Sequence, residues 1–177
     1  MRTSAILKLF TFFNGIFTFS ALVIRFTNLE CKSFDQEFVQ IPQCRLKVMA
    51  RDKVSLNFHL KMLQLPLINM TVLGQLLRKS NDYRPFLYNS STNFCSFVKN
   101  ANKLLFWKIV WNIARPFSNV NHTCPYNHDI IVQNMILDEH NMKLILFPPG
   151  NYLIRFYMYV QGKRKVGINT YFSIKDN

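Results

Sequence analysis

Between Val54 and Met62 the chain alternates without a slip, with Val54, Leu56, Phe58, Leu60 and Met62 on one side and Ser55, Asn57, His59 and Lys61 on the other. A period of two fits a pleated strand with one buried face, whereas a helix would repeat its apolar stripe every three to four residues. The segment before it, Cys44 to Ala50, sets Leu46 and Val48 against Arg45 and Lys47, and Arg51-Asp52-Lys53 supplies a polar turn. Together these predict a hairpin. After Pro66, Ile68-Asn69-Met70-Thr71-Val72 alternates again. Near the other end, Pro148-Pro149-Gly150 breaks the chain and Tyr152 to Val160 runs apolar on both faces, so that strand is expected to be buried on both sides or to line a cavity. Gln161 to Lys165 reads as a basic turn, and Val166, Ile168, Thr170, Phe172 and Ile174 mark the returning strand of a second hairpin. Short antiparallel strands of this kind predict a mainly β fold, a two-sheet sandwich in place of parallel βαβ units.

A helical insertion is expected between about residues 96 and 115, with Ser96 as N-cap and Pro116 closing it. Its polar positions do not keep to one side. Lys99, Asn100, Asn102 and Lys103 share one face, while Lys108, Asn112 and Arg115 lie about half a turn away, so two short helices or a break near Lys103 to Leu105 are predicted. The apolar positions, with Trp107 and Trp111 prominent, would cover a sheet face or one mouth of a cavity.

The compartment is read from the N-terminus and the cysteines. Arg2 and Lys8 precede an apolar run from Leu9 to Ile24 that is interrupted by Thr11, Asn14, Gly15, Thr18 and Ser20. That pattern predicts a cleaved secretory leader over residues 1–23, cut near residues 20–25, followed by a single domain over 24–177. Four cysteines, Cys31, Cys44, Cys95 and Cys124, lie beyond it, and an even set in an oxidising compartment predicts two disulfides. Three pairings are open, of which loop closure favours the neighbours, Cys31 with Cys44 and Cys95 with Cys124. A metal site using Cys124 and His128, with His122 close by, is the alternative, and an oxidising lumen that consumes thiols disfavours it. Sequons at Asn69, Asn89 and Asn121 are candidate glycosylation sites, and glycans would require these side chains to face solvent.

Hydrophobic residues make up 49% of the 177 residues, too rich for disorder, and 22 Lys and Arg stand against 9 Asp and Glu for a formal charge of +13. Loss of Arg2 and Lys8 would still leave +11. Nucleic acid is excluded as a partner by the secretory leader, so the clusters Arg78-Lys79 with Arg84, and Lys163-Arg164-Lys165, read as solvated faces. At most they would give peripheral contact with anionic headgroups or an acidic receptor. No G-x-S-x-G, no H-E-x-x-H and no phosphate-cradling glycine loop is present. The stretch from His122 to Asp129 flanks a cysteine and a proline, which suits a structural role better than acid-base work. Neither an enzyme nor a cofactor or metal is expected.

One set of motifs goes further. Phe26-Thr27-Asn28-Leu29-Glu30-Cys31, Cys44-Arg45-Leu46-Lys47, Tyr83-Arg84-Pro85-Phe86-Leu87-Tyr88-Asn89, Asn93-Phe94-Cys95, Asn119-Val120-Asn121-His122-Thr123-Cys124-Pro125-Tyr126 and Pro149-Gly150-Asn151-Tyr152 occur in this order. The set resembles a large insect family of secreted proteins of unknown function that includes the CheB chemosensory proteins and is related to the ML lipid-recognition fold. The resemblance implies an immunoglobulin-like (ML-like) sandwich whose interior holds an acyl chain or other apolar molecule, and it implies the neighbouring disulfide pairing. It supplies no catalytic residue.

The function expected is therefore secreted, extracellular and non-enzymatic: a protein binding a lipid-like or hydrocarbon ligand between its sheets, in chemosensory or pheromone perception, with an extracellular receptor as a further partner. Candidate lining residues are Phe58, Leu60, Met62, Phe156, Met158, Ile168 and Phe172, with Trp107 and Trp111 as a lid. The alternative is an interaction protein using a basic surface to bind an acidic partner or membrane.

Overall fold

A computed structural model describes residues 22–137 and 147–176. The leader expected over residues 1–23 thus lies outside the described residues up to position 21. Among the described residues, eight strands form two antiparallel sheets. β1 (Leu22–Ser33), β4 (Thr71–Lys79), β5 (Tyr83–Asn93), β7 (Gly150–Val160) and β8 (Lys163–Asp176) make a five-stranded sheet in the order β1-β8-β7-β4-β5. β2 (Val39–Ala50), β3 (Lys53–Met62) and β6 (Ile130–Met135) make a three-stranded sheet in the order β2-β3-β6. The chain is mainly β, a two-sheet sandwich with a small helical insertion.

Both expected hairpins are present. β2 and β3 join across Arg51-Asp52, with Asp52 at φ 59°. β7 and β8 join across Gln161-Gly162 alone, at φ 51° and 73°, a two-residue turn whose twist suits antiparallel strands. Lys163, Arg164 and Lys165 belong to β8 and not to a five-residue turn. The strand expected from Ile68 begins only at Thr71, because Leu67 is held in a bridge to Tyr126 and Ile68 stands out in solvent.

The outer side of β3 is less exposed than alternation suggests. Ser55 and Asn57 are buried, since β3 is the central strand of its sheet and both neighbours use these groups. Ser55 Oγ donates to the Lys47 carbonyl on β2 (3.3 Å), and Asn57 Oδ1 accepts from the Asn134 N–H on β6 (2.8 Å).

The insertion is two helices, α1 (Phe94–Lys99) and α2 (Leu105–Ala114), followed by a 3-10 turn over Arg115–Phe117 that contains Pro116. The break falls between Lys99 and Leu105, where the polar face changes sides. Ser96 is not the N-cap. Asn93 is, with its Oδ1 accepting from the Ser96 N–H at 2.9 Å, so the cap lies three residues earlier and α1 carries Phe94 and Cys95 into the interior.

Two disulfides, Cys31–Cys44 and Cys95–Cys124, are formed, with Cα separations of 6.1 and 5.4 Å. The first joins β1 to β2, and therefore one sheet to the other. The second ties α1 to the loop before β6. With Cys124 so engaged, the alternative metal site at Cys124 and His128 is ruled out.

Candidate functional site

The inward faces of the two sheets do not meet everywhere. Ile154, Phe156 and Met158 of β7 and Val166, Ile168 and Phe172 of β8 face Leu56, Phe58 and Leu60 of β3 and Ile130 and Val132 of β6 across a cavity of about 250 Å³. Its third wall is α2, through Phe106, Trp107, Ile109, Val110 and Ile113. Among the described residues Thr170 is the sole lining residue that is neither hydrophobic nor aromatic, and none is charged.

Each wall has a local cause. On β7 and β8 the alternation places every second residue inward, and at Tyr152-Leu153 the strand is buried on both faces. Tyr152 stacks between Phe147 and Phe172, at centroid distances of 5.2 and 5.3 Å, and its hydroxyl donates to the Pro148 carbonyl (2.6 Å). This aromatic stack closes the interior beside Phe172. On the helical side, α2 approaches β4 because residue 74 is glycine. A Cβ there would lie 2.6 Å from Phe106 Cε1 and 3.0 Å from Trp107 Cη2. Trp107 Nε1 donates to Ser90 Oγ on β5 (3.2 Å), which fixes the helix on the sheet.

Of the residues singled out in the sequence, Phe58, Leu60, Trp107, Phe156, Met158, Ile168 and Phe172 line the cavity. Met62 does not. It lies at the end of β3 in the core cluster with Phe38, Val39 and Tyr126. Trp111 does not either, because it faces α1, edge-on to Phe94 and Phe97 at 5.6 and 6.3 Å. Phe106, Ile109, Val110 and Ile113, apolar positions of the insertion expected to cover a sheet face or one mouth of a cavity but not singled out as lining residues, line it as well. Their spacing of three and four marks one helical face, and that pattern could have singled them out.

Outside the cavity, the candidate sequon asparagines Asn69, Asn89 and Asn121 are all exposed. The basic run is not one solvated face. Lys163 and Arg164 are exposed, but Lys165 is buried, with Nζ 2.6 Å from Asp35 Oδ2 and 4.6 Å from the centroid of the Phe38 ring. The Lys165 hydrogen bond holds the Asp35 carboxyl below the usual carboxylate range. Alternation along β8 turns Lys165 away from Arg164, under the 34–38 turn. The basic-surface alternative thereby loses one of its three cations.

A polar cluster borders the cavity wall at the start of β6. His59 Nε2 lies 2.7 Å from Asp129 Oδ2, and Asp129 Oδ1 accepts from the Met62 N–H at 2.9 Å. The His59 contact first, helped by the Met62 N–H, lowers the Asp129 pKa. Tyr126, fully buried nearby, donates its hydroxyl to the His122 carbonyl, and burial pushes its pKa up to about 12. Among the described residues no group of three or more His, Cys, Asp or Glu converges as a metal site would require.

Residues 72–154 match the model of a family described as a protein of unknown function, DUF1091. The matched stretch runs from β4 to the middle of β7 and includes both helices and the Cys95–Cys124 disulfide. No curated protein matches the chain.

Proposed function

We propose that the chain is a secreted, non-enzymatic binding protein that holds an apolar molecule, an acyl chain or other hydrocarbon, between its two sheets and α2. The observation that carries this reading is the lining of the cavity. A water molecule needs two to four polar partners, and this interior offers it little beyond Thr170. Apolar walls left facing one another without contact forgo the burial that stabilises a core, which favours an occupied interior over an empty one. By the precedent of roughly 150 Å³ for one benzene ring, the space accepts about ten carbon atoms.

Two disulfides, exposed sequons and the apolar leader support secretion and glycosylation. The resemblance of the ordered motifs to the insect family that includes the CheB proteins, and through it to the ML lipid-recognition fold, supports a place in chemosensory or pheromone perception, with an extracellular receptor as a further partner. Among the described residues the lining carries no carboxylate, histidine, lysine, cysteine or serine, which supports binding over catalysis.

Native mass spectrometry of the secreted chain, before and after delipidation and re-exposure to medium-chain alkanes and alkyl esters, tests the reading. The native protein is expected to carry or take up one such molecule. Val132→Phe with Ile154→Phe, one residue from each sheet, is expected to keep the strand circular dichroism and to lose uptake at least about tenfold, because added rings occupy the void. Delipidated native protein that takes up nothing, and that shows no xenon-accessible void by NMR, would overturn it.

A further inference from the structure

The β2–β3 hairpin carries apolar side chains past the point where the sandwich covers them. Alternation puts Leu46 and Val48 on the inward side of β2, and the register sets them opposite Leu56 and Val54 of β3. Leu46 and Val54 pack on the core cluster that holds Leu56 and Phe26, whereas Val48 is 75% exposed. Among the described residues it is the most exposed of the large hydrophobic side chains. Met49 follows it, at 51%. The register passes from Val48–Val54 directly to Ala50–Lys53, so Met49 is an extra residue with no partner across the hairpin and stands at a bulge. Two adjacent apolar side chains thus face solvent at the apex.

Positive charge surrounds them. Arg45, Lys47, Arg51 and Lys53 are all exposed, and residues 45–53 hold a single carboxylate, Asp52. Arg25 Nη1 and Arg51 Nε lie 3.4 and 3.7 Å from its two oxygens, so this acid is offset within the protein, and the Arg25 contact braces the hairpin against β1. We propose that the apex is a docking site for an anionic lipid surface, with Val48 and Met49 entering the boundary between headgroups and acyl chains and Lys47, Arg51 and Lys53 meeting the lipid phosphates.

A bilayer offers both kinds of contact in one place, negative headgroups at its surface and hydrocarbon a few ångströms beneath, and the apex presents their complements side by side. An acidic protein surface would satisfy the cations and leave Val48 and Met49 against polar groups. Exposed apolar residues elsewhere lack such a setting. Ile68, 71% exposed, stands in a stretch, residues 62–77, that contains no charged residue at all. Docking does not require the cavity to be filled. Its consequence for the ligand does rest on the function proposed above: Leu56, a lining residue, is two positions, or about 7 Å, along β3 from Val54, so a docked hairpin brings that end of the interior towards the bilayer from which an acyl chain would be drawn.

Co-sedimentation of the full secreted chain with vesicles of phosphatidylcholine, alone or with roughly one-third phosphatidylserine, tests the site. Binding to the anionic vesicles, little binding to the neutral ones and loss at high salt are expected. Val48→Ser with Met49→Ser, which leaves the charge unchanged, should weaken binding by at least about tenfold through the apolar burial forgone. Lys47→Ala with Lys53→Ala should weaken it by about 20-fold, at roughly fivefold per cation near such a surface. Ile68→Ser, and Leu105→Ser beside Lys103 and Lys108 at the start of α2, should leave it unchanged. All these side chains are exposed, so the variants are expected to fold, which circular dichroism verifies. Absence of binding to the anionic vesicles at low salt would overturn the proposal. So would binding that Val48→Ser with Met49→Ser leaves intact, which would reassign the apex cations to an acidic macromolecule, and so would binding lost through Leu105→Ser instead. Ligand uptake by native mass spectrometry should be the same in all variants, so a failure of docking and a failure of the cavity reading are seen separately.

Discussion

Replacing Gly74 by alanine tests whether α2 is seated by direct contact with the five-stranded sheet. Gly74 lies on β4 between Ser90 of β5 and Phe156 of β7. The added methyl would fall 2.6 Å from Phe106 Cε1, where ordinary contact begins at 3.4 Å, so the ring must retreat by close to 1 Å. It has little room to do so. The Phe106 ring stacks on Tyr88 at 4.9 Å and meets Trp107 edge-on at 5.2 Å, and Trp107 is tethered to Ser90. The displacement therefore passes into α2.

Overpacking of this kind costs about 1–3 kcal/mol. Alanine also narrows the unfolded ensemble, which returns about 0.4–1 kcal/mol. Overpacking wins, and a net loss of about 1–2 kcal/mol remains. At roughly 2–4 °C per kcal/mol for a chain of this size, the melting temperature should fall by about 2–8 °C, read by near-ultraviolet circular dichroism. Gly162→Ala is the control. Nothing lies within 4 Å of its Cβ position, but its φ of 73° penalises any L side chain, so its cost of about 1 kcal/mol should leave the aromatic signal of the folded state untouched. A Gly74→Ala protein at least as stable as the native one, with an unchanged aromatic spectrum, would refute the seating argument.

The remaining expectations concern the staples and the acid limb of stability. Replacing both cysteines of the 29-residue Cys95–Cys124 link by alanine should cost about 4 kcal/mol in the chain-entropy picture, and the 13-residue Cys31–Cys44 link about 3 kcal/mol, measured as shifts in urea-unfolding free energy. Equal stability of either variant to the native chain would count against that role. Asp35 and Asp129 are both held below their ordinary value of 3.8 in the folded state. Their contribution is therefore present above about pH 4 and lost as the pH falls through the lowered folded values. Asp129→Asn should flatten the decline in urea midpoint below pH 4 while leaving its trend above pH 5 unchanged. An acid limb as steep as that of the native chain would exclude Asp129 as a source.

What the sequence made legible divides along physical lines. Strands at the centre of a sheet, such as β3, β7 and β8, carry long uninterrupted alternation because both neighbours fix their register, and they were readable at once. Edge strands are free to deviate. β5 contains Pro85 and a bulge around Leu87, which takes φ 60°, and both features are tolerated because, among the described residues, one side of that strand has no partner to satisfy. β1, the other edge, shifts register between Phe26 and Asn28. Its inward set passes from Ile24 and Phe26 to Leu29 and Cys31, and the period of two disappears from view. β6 is six residues long and breaks at Asn134, φ 54°, which is too short a run for periodicity to register.

The candidate site was legible to the extent that those central strands build it. The residues singled out on those strands lie along the cavity, apart from Met62, which belongs to the neighbouring core because the cavity ends before β3 does. The helix was harder. Trp107 and Trp111 stand four apart on the helix, yet only Trp107 reaches the void, beside Phe106, Ile109, Val110 and Ile113, while Trp111 packs on α1. Which face of an amphipathic helix meets a void, and which meets a neighbouring helix, is decided by α1, and α1 is placed by the Asn93 cap and the Cys95–Cys124 link. Nothing in the ten residues of α2 encodes either of them. The void itself is a property of walls that come together from seven strands and two helices, so local pattern could indicate apolar surface but not whether its parts face one another. Gly74 is a residue through which that approach can be tested, because its missing side chain lets Phe106 and Trp107 of α2 stand against β4.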